Sequence, residues 1–232
     1  MHHETSILYG PVNAIAKELG FSVPDHVIMA LLVLLISLIL FPLITRRLSR
    51  DDPGPMQQSL EVLVQGIKGL LEDIVGHGAG NRYLYIIGAY TVFIFFSNII
   101  GQFYFLQPPT ANVNTTFALS ISAFLYYNFQ GIRQHGPVKY VAHFMGPVLW
   151  LAPLFFVIEI IGNFARILSL GMRLFGNITG EHMATGIFMG IFPLLLPLPM
   201  QLLGIFGSIL QTFVFVMLTM VYIGGAVAAE EH

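Results

Sequence analysis

The sequence predicts an all-α membrane protein with about five membrane-embedded helices and one interfacial amphipathic helix. Three observations carry that prediction. Hydrophobic residues make up 56% of the 232 positions and charged residues only 9%, whereas soluble domains carry about 25% charge. Mean hydropathy is +0.77. Several uncharged runs approach the roughly 20 apolar residues that a spanning helix needs, and they are separated by short polar or proline-bearing stretches.

The elements follow in order. Residues 1–25 form an outer N-terminal segment, and 26–232 form a single membrane domain. "MHHETSILYGPVNAIAKELGF" lacks the basic, apolar and small-residue regions of a signal peptide, so insertion is expected to rely on the mature helices. Span 1 covers 27–46, from "VIMALLVLLISLILFPLIT" to the basic cluster "RRLSR". The next helix, 53–76, opens with Pro53 and Pro55 in a first turn and repeats Leu60, Leu63, Val64, Ile67, Leu70, Leu71 and Ile74 at helical spacing. Its charges make it interfacial rather than spanning.

No charge occurs between Arg82 and Arg133. The turn-forming "QPPTANVNTT" splits that run into span 2 (83–106) and span 3 (114–132). Beyond the polar connection "RQHGPVKYVAHFMGP", a helical stretch runs over 147–188. At 1.5 Å per residue it is about 60 Å long, against a hydrocarbon core of about 30 Å. It must tilt, bend or break. "FPLLLPLP" stops it, and a last long helix covers 199–229.

Arg46, Arg47, Arg50, Lys68, Arg82, Arg133 and Lys139 fall in the two connections on one side, while "QPPTANVNTT" and "FPLLLPLP" carry no basic residue. The expected orientation is therefore N-terminus outside and C-terminus cytoplasmic. Net charge is −2 and the basic residues form no stripe, which sets nucleic acid aside. Without Cys there is no thiol chemistry or Cys-ligated zinc. H-E-x-x-H, G-x-S-x-G and the nucleotide-binding glycine motifs are all missing, so no metal site, cofactor or hydrolytic centre is expected.

Five ionisable residues nonetheless lie in the long helix: Glu159, Arg166, Arg173, Glu181 and His182. Spacings of seven place Glu159, Arg166 and Arg173 within about 40° of one face, joined there by Asn163 and Asn177. A charge at membrane depth costs about 2.5 to 3.5 kcal/mol on insertion scales. Glu159 and Arg166 fit either an ion pair or a snorkelling arrangement. Arg173 lies near mid-helix, about 80° away from Glu181 and about 180° away from His182, so a functional role is its default reading. In the last helix, Ser208, Gln211, Thr212, Thr219 and Tyr222 give a partial polar lining. The primary amide of Gln211 most needs a partner, and the Arg173 and Asn177 face offers one.

"SLGMRLFGNITGEH" followed by "LQTFVFVMLTMVYIGGAVAAEEH" resembles subunit a of the F-type ATP synthase, the stationary proton-conducting subunit of its membrane sector. The pattern is an Arg within S-L-x-x-R-L-x-x-N, an acid two heptads earlier, and a late Gln helix ending in Y-I. "PTANVNTTFALS" resembles the family's outer loop, and the resemblance covers essentially the whole chain.

The resemblance implies two long, strongly tilted helices lying against a rotating ring of subunit c, with two offset half-channels opening to opposite sides. Arg173 then matches the essential Arg that favours ionisation of the ring carboxylate and blocks proton leak. Gln211 and Asn177 match the amides beside it. Glu159, Arg166, Ser169, Glu181 and His182 fall on the proton path, with Glu159 on the inner access route and His182 on the outer. The implied surroundings are the bacterial cell inner membrane and its lipid bilayer, subunit b of the peripheral stalk and the rest of the F1Fo complex. In that role the chain is an ion-translocating component, not an enzyme by itself.

This sequence departs from the family at three places. Asn112 replaces a common Asp, Gly204 stands where some members have an acid or His, and Glu181 occupies a position that is commonly small. Glu181 with His182 then forms a local substitute for the outer relay. The alternatives are a stand-alone proton-coupled secondary transporter and a structural assembly subunit. The first is disfavoured because neither inverted repeats nor paired broken helices are visible.

Overall fold

A computed structural model describes residues 6–18, 20, 22–46, 48–49, 53–103, 106–143, 151–191 and 197–227. Among these, eight α-helices and one 3-10 turn occur in the order α1 (Tyr9–Glu18), α2 (Asp25–Thr45), α3 (Pro55–Val75), α4 (Ala79–Ile100), the turn Pro109–Ala111, α5 (Val113–His135), α6 (Pro137–His143), α7 (Ala152–Ile191) and α8 (Pro197–Val227). Residues 147–150, 192–196 and 228–229, where the sequence reading starts the long helix, interrupts it and ends the last one, lie outside the described residues.

Four of these helices are long and apolar enough to cross a membrane: α2, α4, α7 and α8. The chain is a multi-pass membrane protein. The reading of 114–132 as a further apolar span differs from this set, and the reason is chemical. α5 has the length of a span, at 23 residues, but it buries Thr116, Ser120 and Gln130 against the protein. It packs on both α7 and α8, so its polar face meets side chains instead of lipid, which lowers its hydropathy without exposing it.

Local chemistry sets the helix ends. Pro55 opens α3 at a position where its missing N–H costs nothing. Asn112 caps α5, its side chain accepting from Asn114 N at 2.9 Å, a role that an amide fills as well as the Asp common in the family. The segment read only as an outer N-terminal stretch contains α1, which is fastened to the start of α2. Ser6 N donates to Asp25 Oδ2 at 2.9 Å, and the Asn13 side chain bridges both backbone groups of Val23. The polar connection after α5 contains α6, whose Tyr140 ring lies where a side chain on Gly131 would stand.

The core draws on six helices, with Leu71 of α3 and Tyr140 of α6 joining one face each of α4, α5, α7 and α8. Tyr83, Ile87, Tyr90 and Ile94 of α4 meet Ala123 and Tyr127 of α5, Leu170, Leu174 and Ile178 of α7, and Phe215, Met220 and Ile223 of α8. α2 is attached at the margin through Met29 and Val33 against Ile100, and most of its other large side chains are exposed. Gly171 lets α7 approach α5 closely, since a Cβ there would stand 3.0 Å from Ser120 Oγ. The product is a compact α4–α5–α8 support that presents one side of the 40-residue α7 outward.

Candidate functional site

The polar residues of α7 separate into two clusters and a central arginine. Arg173 is exposed, and it forms no hydrogen bond or ion pair with any described residue. The outward surface of α7 is largely apolar, with Leu168 and Met172 exposed before Arg173 and Met183 and Ile187 exposed after it. Ser169, one turn earlier, is also exposed. Behind this surface Asn177 Nδ2 donates to Gln211 Oε1 at 2.6 Å. Gln211 is buried, so the partner it requires comes from Asn177, and Arg173 is left unengaged. The exposed guanidinium is therefore available to a charge that none of the described residues supplies.

The first cluster lies nearer the end of the bundle that carries Arg82, Arg133 and Lys139. Arg166 Nη2 sits 3.5 Å from Glu159 Oε1, with both side chains more than one-third exposed. This settles their arrangement as an ion pair across two turns. Asn163 Oδ1 accepts from Tyr127 OH at 2.8 Å and from Arg166 Nη1 at 3.4 Å, and the guanidinium also lies 5.5 Å over the Tyr222 ring. The pair borders a cavity of about 420 Å³ whose polar wall is Glu159, Asn163, Arg166, Tyr127, Tyr140 and Tyr222. Such a cavity is roomy and polar enough for several waters. Tyr140 OH donates to Asn128 Oδ1 at 2.9 Å. Burial pushes the phenol up to about 12, so it remains a donor throughout the neutral range.

The second cluster lies at the end that carries the 3-10 turn. Glu181 Oε1 accepts from Gln102 Nε2 at 2.6 Å, and the same amide reaches Ser208 Oγ at 3.5 Å. Gly204 explains how α7 accommodates this acid. A Cβ on Gly204 would collide with the Glu181 carboxylate, so the acid fills the volume that a side chain at 204 would need. His182 points elsewhere, with its Nε2 beside Gly101 at the end of α4. Nearby, Thr110 Oγ1 donates to Asn98 Oδ1 at 2.8 Å in a fully buried pair.

Sequence reasoning missed Gln102, Asn98 and Tyr127. The rule applied to Gln211, that a primary amide in an apolar run needs a partner, applies equally to Gln102 and Asn98 and would have marked both. Tyr127 carried no such signal, because tyrosine is ordinary in membrane helices. Among the described residues, no group of three or more His, Asp or Glu side chains could hold a metal ion.

The ATP synthase A chain family model matches residues 27–224. Curated relatives named ATP synthase subunit a include that of Geotalea uraniireducens, 42% identical over 202 residues and covering 87% of each chain. That of Sulfurihydrogenibium sp. is 40% identical over 208 residues, which is 90% of this chain and 99% of its own. ATP synthase subunit a 1 of Syntrophotalea carbinolica is 45% identical over 216 residues, or 93% and 90% of the two chains. With a family model spanning nearly the whole helical bundle and relatives at these identities over most of both lengths, the chain belongs to the ATP synthase A chain family.

Proposed function

We propose that this chain is the stationary proton-translocating subunit of the ATP synthase membrane sector, working against the rotating ring of subunit c, with Arg173 acting on each ring carboxylate that passes. The observation that carries the reading is the exposed Arg173, midway along a largely apolar helix and without a partner among the described residues. A guanidinium stays charged at any relevant pH, and a cation near a carboxylate favours its ionised form. A ring carboxylate brought opposite Arg173 therefore gives up its proton. The same fixed charge repels a proton moving directly from one polar cluster to the other.

The two clusters then serve as access routes. Glu159 and Arg166 border the inner route, through the cavity that Asn163, Tyr127 and Tyr222 complete. Glu181, His182 and Gln102 form the outer route. In it, the Glu181 carboxylate does from α7 what a side chain at position 204 would do from α8. Asn177 and Gln211 are positioning residues, since their bond engages the Gln211 carbonyl oxygen, which would otherwise be open to the guanidinium. Arg173 thus stays free to form brief contacts, as rotation requires. The driving force is about 2.3 kcal/mol per charge per 100 mV.

The same reading places the chain in the bacterial inner membrane, with the basic end of the bundle in the cytoplasm, the N-terminus outside and the C-terminus inside. Subunit b and the rest of F1Fo are its further partners. The test is ATP-driven proton pumping in inverted vesicles by Arg173→Ala at matched assembly of the complex. Loss of pumping with the complex intact supports the role. Retained pumping would reduce Arg173 to a structural charge and favour an assembly subunit. Arg173→Lys sharpens the result, because lysine keeps the charge but not the planar fork.

A further inference from the structure

A second cavity, of about 650 Å³, lies where the α3–α4 turn meets the ends of α5 and α8. Its polar wall consists of His77, Arg82, Tyr83, Gln134 and His135, with Gly78 and Ala79 at the first turn of α4. Three features at this wall suit an anion. Arg82 uses one N–H on Gln134 Oε1, at 2.9 Å, and lies 5.4 Å over the Tyr83 ring. Of its five donors the others remain, in the fork geometry that matches phosphate oxygens. Gly78 begins α4 at φ 83 with no side-chain cap, so apart from Ala79 N, which bonds Gly76 O at 3.2 Å, the first-turn amides lack the usual acceptor. Tyr83 is 1% exposed, and its buried hydroxyl has no hydrogen-bond partner.

None of the residues that line the cavity is acidic, and Glu72 packs at Gly80 without joining its wall. Arg133 precedes Gln134 in sequence, so a second cation lies beside the lining residues. Position in the membrane selects among anions. α4 is a candidate span that begins at Ala79, so its first turn lies at the boundary between hydrocarbon and water. Phospholipid phosphates are concentrated at that level, and basic pockets between spanning helices are their usual docking sites. His135 fixes the rear of the cavity, with its Nε2 2.9 Å from Val227 O at the end of α8.

We propose that this cavity holds the phosphate of an anionic phospholipid headgroup, with Arg82 as the principal ligand and the Tyr83 hydroxyl and the α4 N-terminus completing it. A lipid held there would bridge α4, α5 and α8 at the end of the bundle that carries Arg82 and Arg133. The assignment does not depend on the proton-path reading, because its readout involves no pumping.

The experiment is lipid quantification by mass spectrometry on the assembled complex after exhaustive exchange into mild detergent. Anionic phospholipid is normalised to zwitterionic phospholipid. Wild type is expected to keep an anionic lipid that Arg82→Gln retains about tenfold less well, the effect of losing a charge-assisted bond. Arg82→Lys restores part of the retention and Tyr83→Phe lowers it to a smaller degree. If Arg82→Gln complexes do not assemble, Tyr83→Phe alone decides. Unchanged anionic lipid content in the decisive variant overturns the site. A wash with inorganic phosphate separates the sources: lipid that stays in place supports the headgroup, while displacement by phosphate that then remains bound overturns the lipid assignment.

Discussion

The Glu181 carboxylate occupies the space directly over Gly204, where α7 and α8 face one another. One position supplies the side chain and the other supplies the room for it, so the two cannot be varied independently. Gly204→Ala places a methyl group on the carboxylate and on Gln102 Oε1. The expected result is reduced pumping together with reduced assembly, since overpacking typically costs about 1–3 kcal/mol. Adding Glu181→Gly to Gly204→Ala should restore assembly but not pumping, and adding Glu181→Gly to Gly204→Asp should restore both. Assembly measured on native gels and pumping measured on vesicles form a double-mutant cycle. Additive behaviour would show that the two positions do not share the site.

Asn177 and Gln211 also join these two helices, at 2.6 Å, and of the pair only Gln211 is buried. Gln211→Leu leaves Asn177 at the outward surface of α7, where it can turn to the Arg173 guanidinium. Asn177→Leu strands a buried amide, at a cost of about 1–3 kcal/mol. Asn177→Leu should therefore lower the thermal midpoint of the complex more than Gln211→Leu does. Both should slow ATP-driven pumping, because either change alters what the Arg173 guanidinium can reach. Equal thermal shifts would contradict the burial difference.

Much of this arrangement was legible in the sequence, and the parts that were not share a cause. The length of α7, its seam of Glu159, Arg166 and Arg173, and the need of Gln211 for a partner all follow from local spacing and from the cost of polarity in hydrocarbon. Contacts between distant segments do not. Gln102 reaches Glu181 across 79 residues of sequence, and Tyr127 reaches Asn163 across 36. Periodicity describes which face of a helix is polar, but it does not identify what that face meets. The same limit applies to α5: its uncharged run reads as a span, but what its buried polar side chains meet is visible only once α7 and α8 are packed around them. It also explains α6, seven residues long, too short for a helical period to register.

Tyr140 provides a pH signature. Its phenol is raised from the ordinary 10.0 to about 12 by burial. A group whose folded pKa lies above its unfolded value binds more protons when folded. The stability it contributes is complete below pH 10 and is lost as pH rises from there towards 12. Tyr140→Phe removes this contribution and also the bond to Asn128. The variant should be less stable than wild type at pH 8, and the difference should shrink in alkaline solution. Thermal midpoints of the complex at a series of pH values check this. A constant difference across the series would refute it.

The last prediction concerns the Glu159–Arg166 pair, whose structural and functional weights should separate. The two groups are 3.5 Å apart but both are more than one-third exposed to their cavity. Exposed pairs contribute about 0–1 kcal/mol to stability, so Arg166→Gln and Glu159→Gln should assemble normally and shift the thermal midpoint little. Proton access is a different matter, because a carboxylate bordering a wet cavity can exchange protons and an amide cannot. Glu159→Gln should therefore slow passive proton conduction through the membrane sector after F1 removal. Arg166→Gln should change its rate by less, since Asn163 remains anchored by Tyr127. A fluorescent pH indicator in stripped vesicles gives both rates. If Glu159→Gln lowered the thermal midpoint strongly and left conduction unchanged, the pair would be a structural brace and the inner route would have to run elsewhere.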